Sequence, residues 1–238
     1  MPLLRWVVRV HKWLALIVGI QIVLWVLGGF MMSVLDIDRV HGDHNVAPVT
    51  RAPVEMIDIL PPAEAAQRAG LANIFATRLE TWQARPVYRF EMMSGRMALV
   101  AALTGELLSP IDEATARQIA LADHIATPDI LSAEFFMDPP REYGRAGPVW
   151  QITFDDGEGT RTYVSPETGE VVTHRNDTWR LFDFFWMLHI MDYEERDDFN
   201  HPLLVSFAAL SLITVFAGLV LLVLKMQRFF LSQMKRLD

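Results

Sequence analysis

The 238-residue chain has no cysteine, no lysine between residues 36 and 201, and no charge in two long apolar runs. The missing cysteine excludes disulfides, thiolate catalysis, iron–sulfur ligation and thioether attachment of a c-type haem. Zinc-helix, serine-elbow and phosphate-loop motifs are absent, as are nicotinamide and flavin fingerprints. The uncharged runs, Trp13–Leu35 and Pro202–Leu224, have 23 residues each. A helix rises about 1.5 Å per residue and needs about 20 apolar residues to cross the hydrocarbon core. The pattern therefore predicts two membrane crossings. The runs hold little polarity (Gln21, Ser33, Ser206, Ser211 and Thr214) and no carboxylate or arginine, which argues against an ion or proton path through these helices alone.

What is present divides sharply by charge. Residues 36–201 carry 28 acidic side chains against 14 arginines, whereas Arg5, Arg9 and Lys12 precede the first run and Lys225, Arg228, Lys235 and Arg236 follow the second. The positive-inside rule then places segments 1–12 and 225–238 in the cytoplasm and domain 36–201 outside it. The acidic middle argues against nucleic acid as a partner. The apolar part of the first run exceeds a signal-peptide core, and no small-residue cleavage site follows Met31, Met32 and Ser33, so an uncleaved anchor is expected.

The middle contains a weak duplication. Pro86–Met92 leads through a turn to Met97–Leu108, which contains Thr104-Gly105-Glu106. Pro148–Phe154 leads through the acidic turn 155–159 to Arg161–Val172, which contains Thr168-Gly169-Glu170. Each copy reads as strand, turn, strand and tight turn. Val149, Gln151 and Thr153 alternate with Trp150, Ile152 and Phe154, the period-2 pattern of a half-buried strand. Pro61–Gly70 and Ile111–Ile125 read as helices, the first with proline at its start and glycine at its end. Residues 127–147 read as a short helix with loops. The copies are assigned to about 55–125 and 126–175.

These hairpins, together with Arg5-x3-Arg9-x-His11-Lys12-Trp13 and the aromatic stretch Trp179–His189, resemble the PepSY domain and PepSY-associated transmembrane proteins. The resemblance implies an α+β fold: an extracytoplasmic PepSY-like domain of helices packed on antiparallel hairpins, flanked by two transmembrane helices (13–35 and 202–224). It implies a bacterial inner membrane with a periplasmic domain. Larger members carry four membrane helices, and some resemble haem-containing reductases of iron–siderophore complexes. An electron-transfer component, binding haem b and acting like a ferric reductase, is therefore one expectation. It would work as a homo-oligomer, in a larger membrane complex or with a separate redox partner. PepSY domains also resemble inhibitory domains found with peptidases. A non-catalytic module that binds an envelope peptidase, or an accessory subunit, is the alternative.

Seven histidines are unevenly placed. His41, His44, His189 and His201 fall near the outer ends of the predicted membrane helices, and His11 near the inner end of the first. Neutral imidazoles are the usual axial ligands of b-type haem. Trp179, Phe182, Trp186, His189 and Tyr193 share one face of a predicted helix over 177–193, capped by Asp177 or Thr178. That face suits a porphyrin, with His189 and His44 as iron ligands, or equally an interfacial helix resting on lipid. His41 and His44 suit haem, a divalent metal with Asp43, or plain solvation. His11 suits a second haem or a headgroup anchor, and His201 a helix-start residue. His124 and His174 read as surface or loop residues. Gly19, Gly28, Gly29, Ala208, Ala209 and Gly218 permit close helix packing.

Overall fold

A computed structural model describes residues 2–48, 53 and 58–234. Lys235, Arg236 and the start of the first repeat at residue 55 lie outside the described residues. The chain separates into two compact units, one of residues 36–180 and one of residues 1–35 with 181–238.

The 36–180 unit is α+β. It begins with α2 (Ile37–His41) and a 3-10 turn (Asp43–Asn45), followed by α3 (Pro62–Arg68). The first sheet has the order β1 (Ile74–Trp82), β2 (Arg85–Met92), β3 (Met97–Ala101). After α4 (Glu113–Asp123), the second sheet has the order β4 (Ile130–Phe136), β5 (Val149–Phe154), β6 (Arg161–Val164), β7 (Val171–Arg175). Both sheets are antiparallel throughout.

Helix α3 starts on Pro61-Pro62, whose fixed φ suits a first turn, and buries Ala65 and Ala66 against Tyr88, Phe90 and Val100. Helix α4 starts where the Asp112 carboxylate accepts from Thr115 N–H at 2.9 Å. Its small residues Ala116 and Ala120 are fully buried in one cluster with Trp82, Val87 and Leu99 of the first sheet and Ile152, Phe154 and Val164 of the second. Helix α4 packs against strands β4–β7.

Residues 127–147 differ from expectation. They contain strand β4 and a 3-10 turn, Arg141–Tyr143, in place of a short helix. Strand β1 also carried no clear sequence signal. Both are edge strands with irregular exposure, so neither shows period-2 alternation. Central strand β5 is covered on both faces. Ile152 and Phe154 meet α4, while Val149 joins Tyr143 and Tyr163.

Both Thr-Gly-Glu turns need glycine, with φ +76° at Gly105 and +61° at Gly169. The second is pressed onto the first sheet. Trp82 Nε1 donates to the Gly169 carbonyl at 2.9 Å. Arg89, 7 % exposed, donates to the Thr168 carbonyl and pairs with Glu80 and Glu170. Behind the second sheet, Glu142 accepts from Tyr163 Oη at 2.6 Å and Arg161 Nη1 at 2.7 Å, and Gln151 Nε2 donates to Tyr163 Oη at 2.6 Å.

In the other unit, α1 (Pro2–Val34) and α6 (Pro202–Met234) pack together and are long and apolar enough to cross a membrane. The apolar stretch of α1 is mostly exposed, and none of that of α6 is buried. Both helices run beyond the predicted 13–35 and 202–224 into the flanking polar segments. The packed face of α1 includes Val18, Gln21 and Gly28, at spacings of three and seven. On α6 the partly buried positions include Ser211 and Thr214, three residues apart.

Helix α5 (Asp177–Ile190) ends at Met191, which takes φ +58°. Tyr193 therefore leaves the aromatic face on which it was predicted. The cap is Asn176, whose Oδ1 accepts from Trp179 N–H at 2.7 Å; Asp177 is already helical. The following loop is wound on Asp192, which accepts the backbone N–H groups of Glu194, Glu195, Asp197 and Asp198. Burial pushes the Asp192 carboxyl up, but these four bonds outweigh it and bring it down to about 2. Arg196 pairs with the buried Asp183, and its carbonyl accepts from Trp186 Nε1 at 2.9 Å.

Two stability predictions follow from this packing. A Cβ on Gly169 would lie 2.8 Å from the rigid Trp82 ring, whereas one on Gly157 (φ +73°) meets nothing within 4 Å. Gly169→Ala should cost more than about 2 kcal/mol, and Gly157→Ala about 1 kcal/mol, in denaturant titrations followed by circular dichroism. Equal costs would show that the Trp82 contact is not tight.

At Glu142, burial pushes the carboxyl up, but the bonds from Tyr163 and Arg161 and the charge of Arg180 hold it below its ordinary value. Such a depressed group stabilises the fold above the unfolded carboxyl range near ~4.3, and the gain fades as pH falls through the lower folded value. Glu142→Gln should cost about 2–4 kcal/mol at neutral pH, and the gap to the parent should narrow on acidification. A gap that stays constant with pH would contradict this.

Candidate functional site

The histidines of the 36–180 unit gather where the segment after α1 returns onto the second sheet. Gly42, at φ +81°, ends α2 and lies so near His174 that a Cβ there would sit 3.0 Å from the His174 Cβ. The turn that follows presents His44, whose Nε2 lies 2.8 Å from Glu158 Oε2; Asn45 Nδ2 donates to the same oxygen at 2.8 Å. Val46 bridges His124, the Ala47 N–H reaches the Asp123 carbonyl at 2.6 Å, and Asn176 Nδ2 reaches the Arg39 carbonyl at 2.7 Å. The segment is thus strapped onto the domain by main-chain and side-chain bonds together.

His124 and His174 are not surface residues. His124 is 5 % exposed, stacks on Phe154 with centroids 5.1 Å apart, and takes the Ala126 N–H on Nδ1. Its Nε2 faces Asp156 at 3.7 Å. Burial pushes the Asp156 carboxyl up, but bonds from Thr160 and Glu158 and the nearby His124 bring it below its ordinary value. His174 sits in β7, with Nε2 3.2 Å from Asp123 and Nδ1 3.1 Å from Thr162 Oγ1. Sequence reasoning missed both because their acid partners are distant in the chain. His174 did carry one signal: it lies in a five-residue strand rich in β-branched side chains.

His41 is exposed, 3.7 Å from Asp43. The structure brings no third ligand to that pair, and among the described residues no three histidines or acids group as a metal site.

A groove of about 520 Å³ opens elsewhere in the same unit, lined chiefly by Leu71, Met92, Met97, Leu107, Phe135 and Met137. Arg96 and Glu167 stand at its wall 3.7 Å apart. Met137 is 72 % exposed. Flexible thioethers beside an apolar groove of this size suit a protein or peptide ligand.

In the unit of residues 1–35 and 181–238, His189 lies against α1. Its Nδ1 is 3.2 Å from the Trp25 carbonyl, and Gly28 and Gly29 leave room for the ring. Because a carbonyl can only accept, Nδ1 carries the proton and a neutral ring keeps its lone pair on Nε2. Phe182 stacks on Trp186, and Trp186 meets Phe199 edge-on, so the predicted aromatic face is filled largely by its own neighbours. His201 precedes α6 and accepts the Val205 N–H on its carbonyl, the helix-start position expected of it. Its Nδ1 is buried without a hydrogen-bond partner. His11 lies half-buried on α1.

The family model described as "Peptidase propeptide and YPEB domain" (PepSY) matches residues 110–175, the segment of α4 and strands β4–β7. No curated protein and no solved structure matches the chain. The first αβ copy lies outside the match and resembles the second in its order of helix and antiparallel strands. Residues 110–175 are a PepSY domain, flanked in this chain by two helices long and apolar enough to cross a membrane.

Proposed function

We propose that the chain is a non-catalytic PepSY module, held in a membrane by α1 and α6, that binds and regulates a peptidase on the extracytoplasmic side. The observation that carries this reading is the match of residues 110–175 to a family described by peptidase propeptides. The groove lined by Met92, Met97, Met137 and Phe135 supports it as a surface able to adapt to a protein partner. His44, His124 and His174 each face a carboxylate within the domain, a use in packing instead of in turnover. Basic residues beside both apolar runs favour cytoplasmic termini and a periplasmic domain in a bacterial inner membrane.

Added to its partner peptidase, the purified chain should lower turnover in step with formation of a complex, and Met97→Glu with Met137→Glu should weaken that inhibition at least tenfold. Absence of both complex and inhibition with every peptidase of the same envelope would remove this reading.

A second reading, electron transfer through haem b, rests on one specific observation. The Nδ1 contact to the Trp25 carbonyl leaves His189 Nε2 free to ligate iron, in the way outer hydrogen bonds orient metal-binding imidazoles. His189 would hold the iron, and bound haem would supply one-electron chemistry for a separate redox partner. The residues fit one axial ligand. His44, the other iron ligand expected, is bonded to Glu158. Protein from haem-replete cells should then show a Soret band that His189→Ala abolishes; colourless protein would eliminate the haem.

A further inference from the structure

We infer that the outer edge of β4 accepts an extended segment of a partner protein as a further strand, and that this segment alternates apolar and basic residues. Strands β1 and β4 each end a sheet with an open edge. The other two edges are covered, β3 by the bridge from Val100 to Leu107 and β7 by α2. Of the open pair, β4 borders the methionine groove, through Phe135 and the following Met137, whereas β1 contributes no lining residue.

The pairing register fixes which backbone groups face outward. The Phe154 N–H of β5 donates to the Thr160 carbonyl on the β6 side, and the next N–H, of Asp155, donates to the Asp129 carbonyl on the β4 side. Bonding alternates along a strand, so Val149, Gln151 and Thr153 bond towards β4. Their partners in β4 are Phe136, Glu134 and Ser132. Ala133 and Phe135, between them, turn their N–H and C=O groups away from β5, and no hydrogen bond meets these groups among the described residues. Such an edge is a template for one more strand.

An added strand would show its side chains alternately on the two faces of the sheet. Beside Phe135 it meets the groove, where that ring packs on Trp150 with centroids 5.0 Å apart and Met97 and Met137 line the wall. Apolar side chains suit this face. Beside Glu134, which is exposed, it meets the opposite face. Residues 118–140 contain no arginine or lysine, and Asp129 and Asp138 flank the strand. Arg161, whose charge acts on Glu134, is paired with Glu142, and Arg96 in the groove with Glu167. The acidic edge thus complements lysine or arginine on the incoming strand, and it disfavours β4 of a second copy, which would add acid to acid. The identity of the partner rests on the peptidase reading. The edge itself is probed with a synthetic peptide, so a failure here is separate from a failure of peptidase inhibition.

The test uses the full chain in neutral detergent, the peptide acetyl-Lys-Val-Lys-Val-Lys-Val-Lys-amide, and amide hydrogen exchange followed residue by residue by NMR. In the free chain Ala133 and Phe135 should exchange rapidly, and Glu134 and Phe136 slowly. Bound peptide should slow Ala133 and Phe135 about tenfold or more. The analogue with glutamate in place of lysine should bind roughly tenfold more weakly, and Glu134→Lys should cost the lysine peptide about fivefold in affinity. Ala133→Pro, which removes an outward donor, should abolish the protection of Phe135. Should proline disturb the fold, the exposed Glu134 variant carries the comparison. Binding that leaves Ala133 and Phe135 exchanging as in the free chain, or that is equally tight for the glutamate analogue, would overturn the proposal. Slow exchange at both amides without peptide, deepening with protein concentration, would overturn it in favour of a second copy.

Discussion

The domain depends on the grip of Trp82 and Arg89 on the turn at residues 167–170. Burying a guanidinium is costly unless its donors are met, and here Glu80, the Thr168 carbonyl and Glu170 meet them. The indole of Trp82 closes the same turn from the other side through the Gly169 carbonyl. Two sheets that share no strand pairing are joined at this point, and Trp82, Val87 and Leu99 then enter one core with Ile152, Phe154 and Val164. That union explains why α4 contributes alanines to its inner face: larger side chains would not fit a helix so closely covered.

The other unit meets a different constraint. Its helices leave most apolar side chains exposed, a surface compatible with lipid, and Ser211 and Thr214 of α6 are partly buried. Gln21 is the costly exception on α1, buried with its Nε2 unpartnered. Beyond α5, the chain turns on one carboxylate: Asp192 gathers four backbone donors, and Arg196 is tied to Asp183. These bonds order a loop that has little apolar surface to bury.

Function follows from where polar groups are spent. His44 ties the segment after α1 to the turn at Glu158, and His124 and His174 face Asp156 and Asp123 within the α+β unit. A groove lined by Met92, Met97 and Met137 stays open on the same unit. His189 is held to α1 through its Nδ1 contact with the Trp25 carbonyl.

Long-range organisation was legible from short-range patterns wherever the pattern had a single physical cause. Uncharged runs announced α1 and α6, alternation announced β5, prolines announced α3, and the Thr-Gly-Glu motifs announced turns that demand positive φ. Edge strands β1 and β4 were illegible because solvent on one side and neighbours on the other blur the period-2 signal. The cap of α5 was misread by one residue, since Asn176, Asp177 and Thr178 are equally good acceptors until geometry chooses. The pairing of His44 with Glu158, of His124 with Asp156 and of His174 with Asp123 could not be read at all. Periodicity reports the environment of one element. Which distant carboxylate a histidine meets is set by how sheets, helix and strap close on one another, and that is settled only when the common core packs.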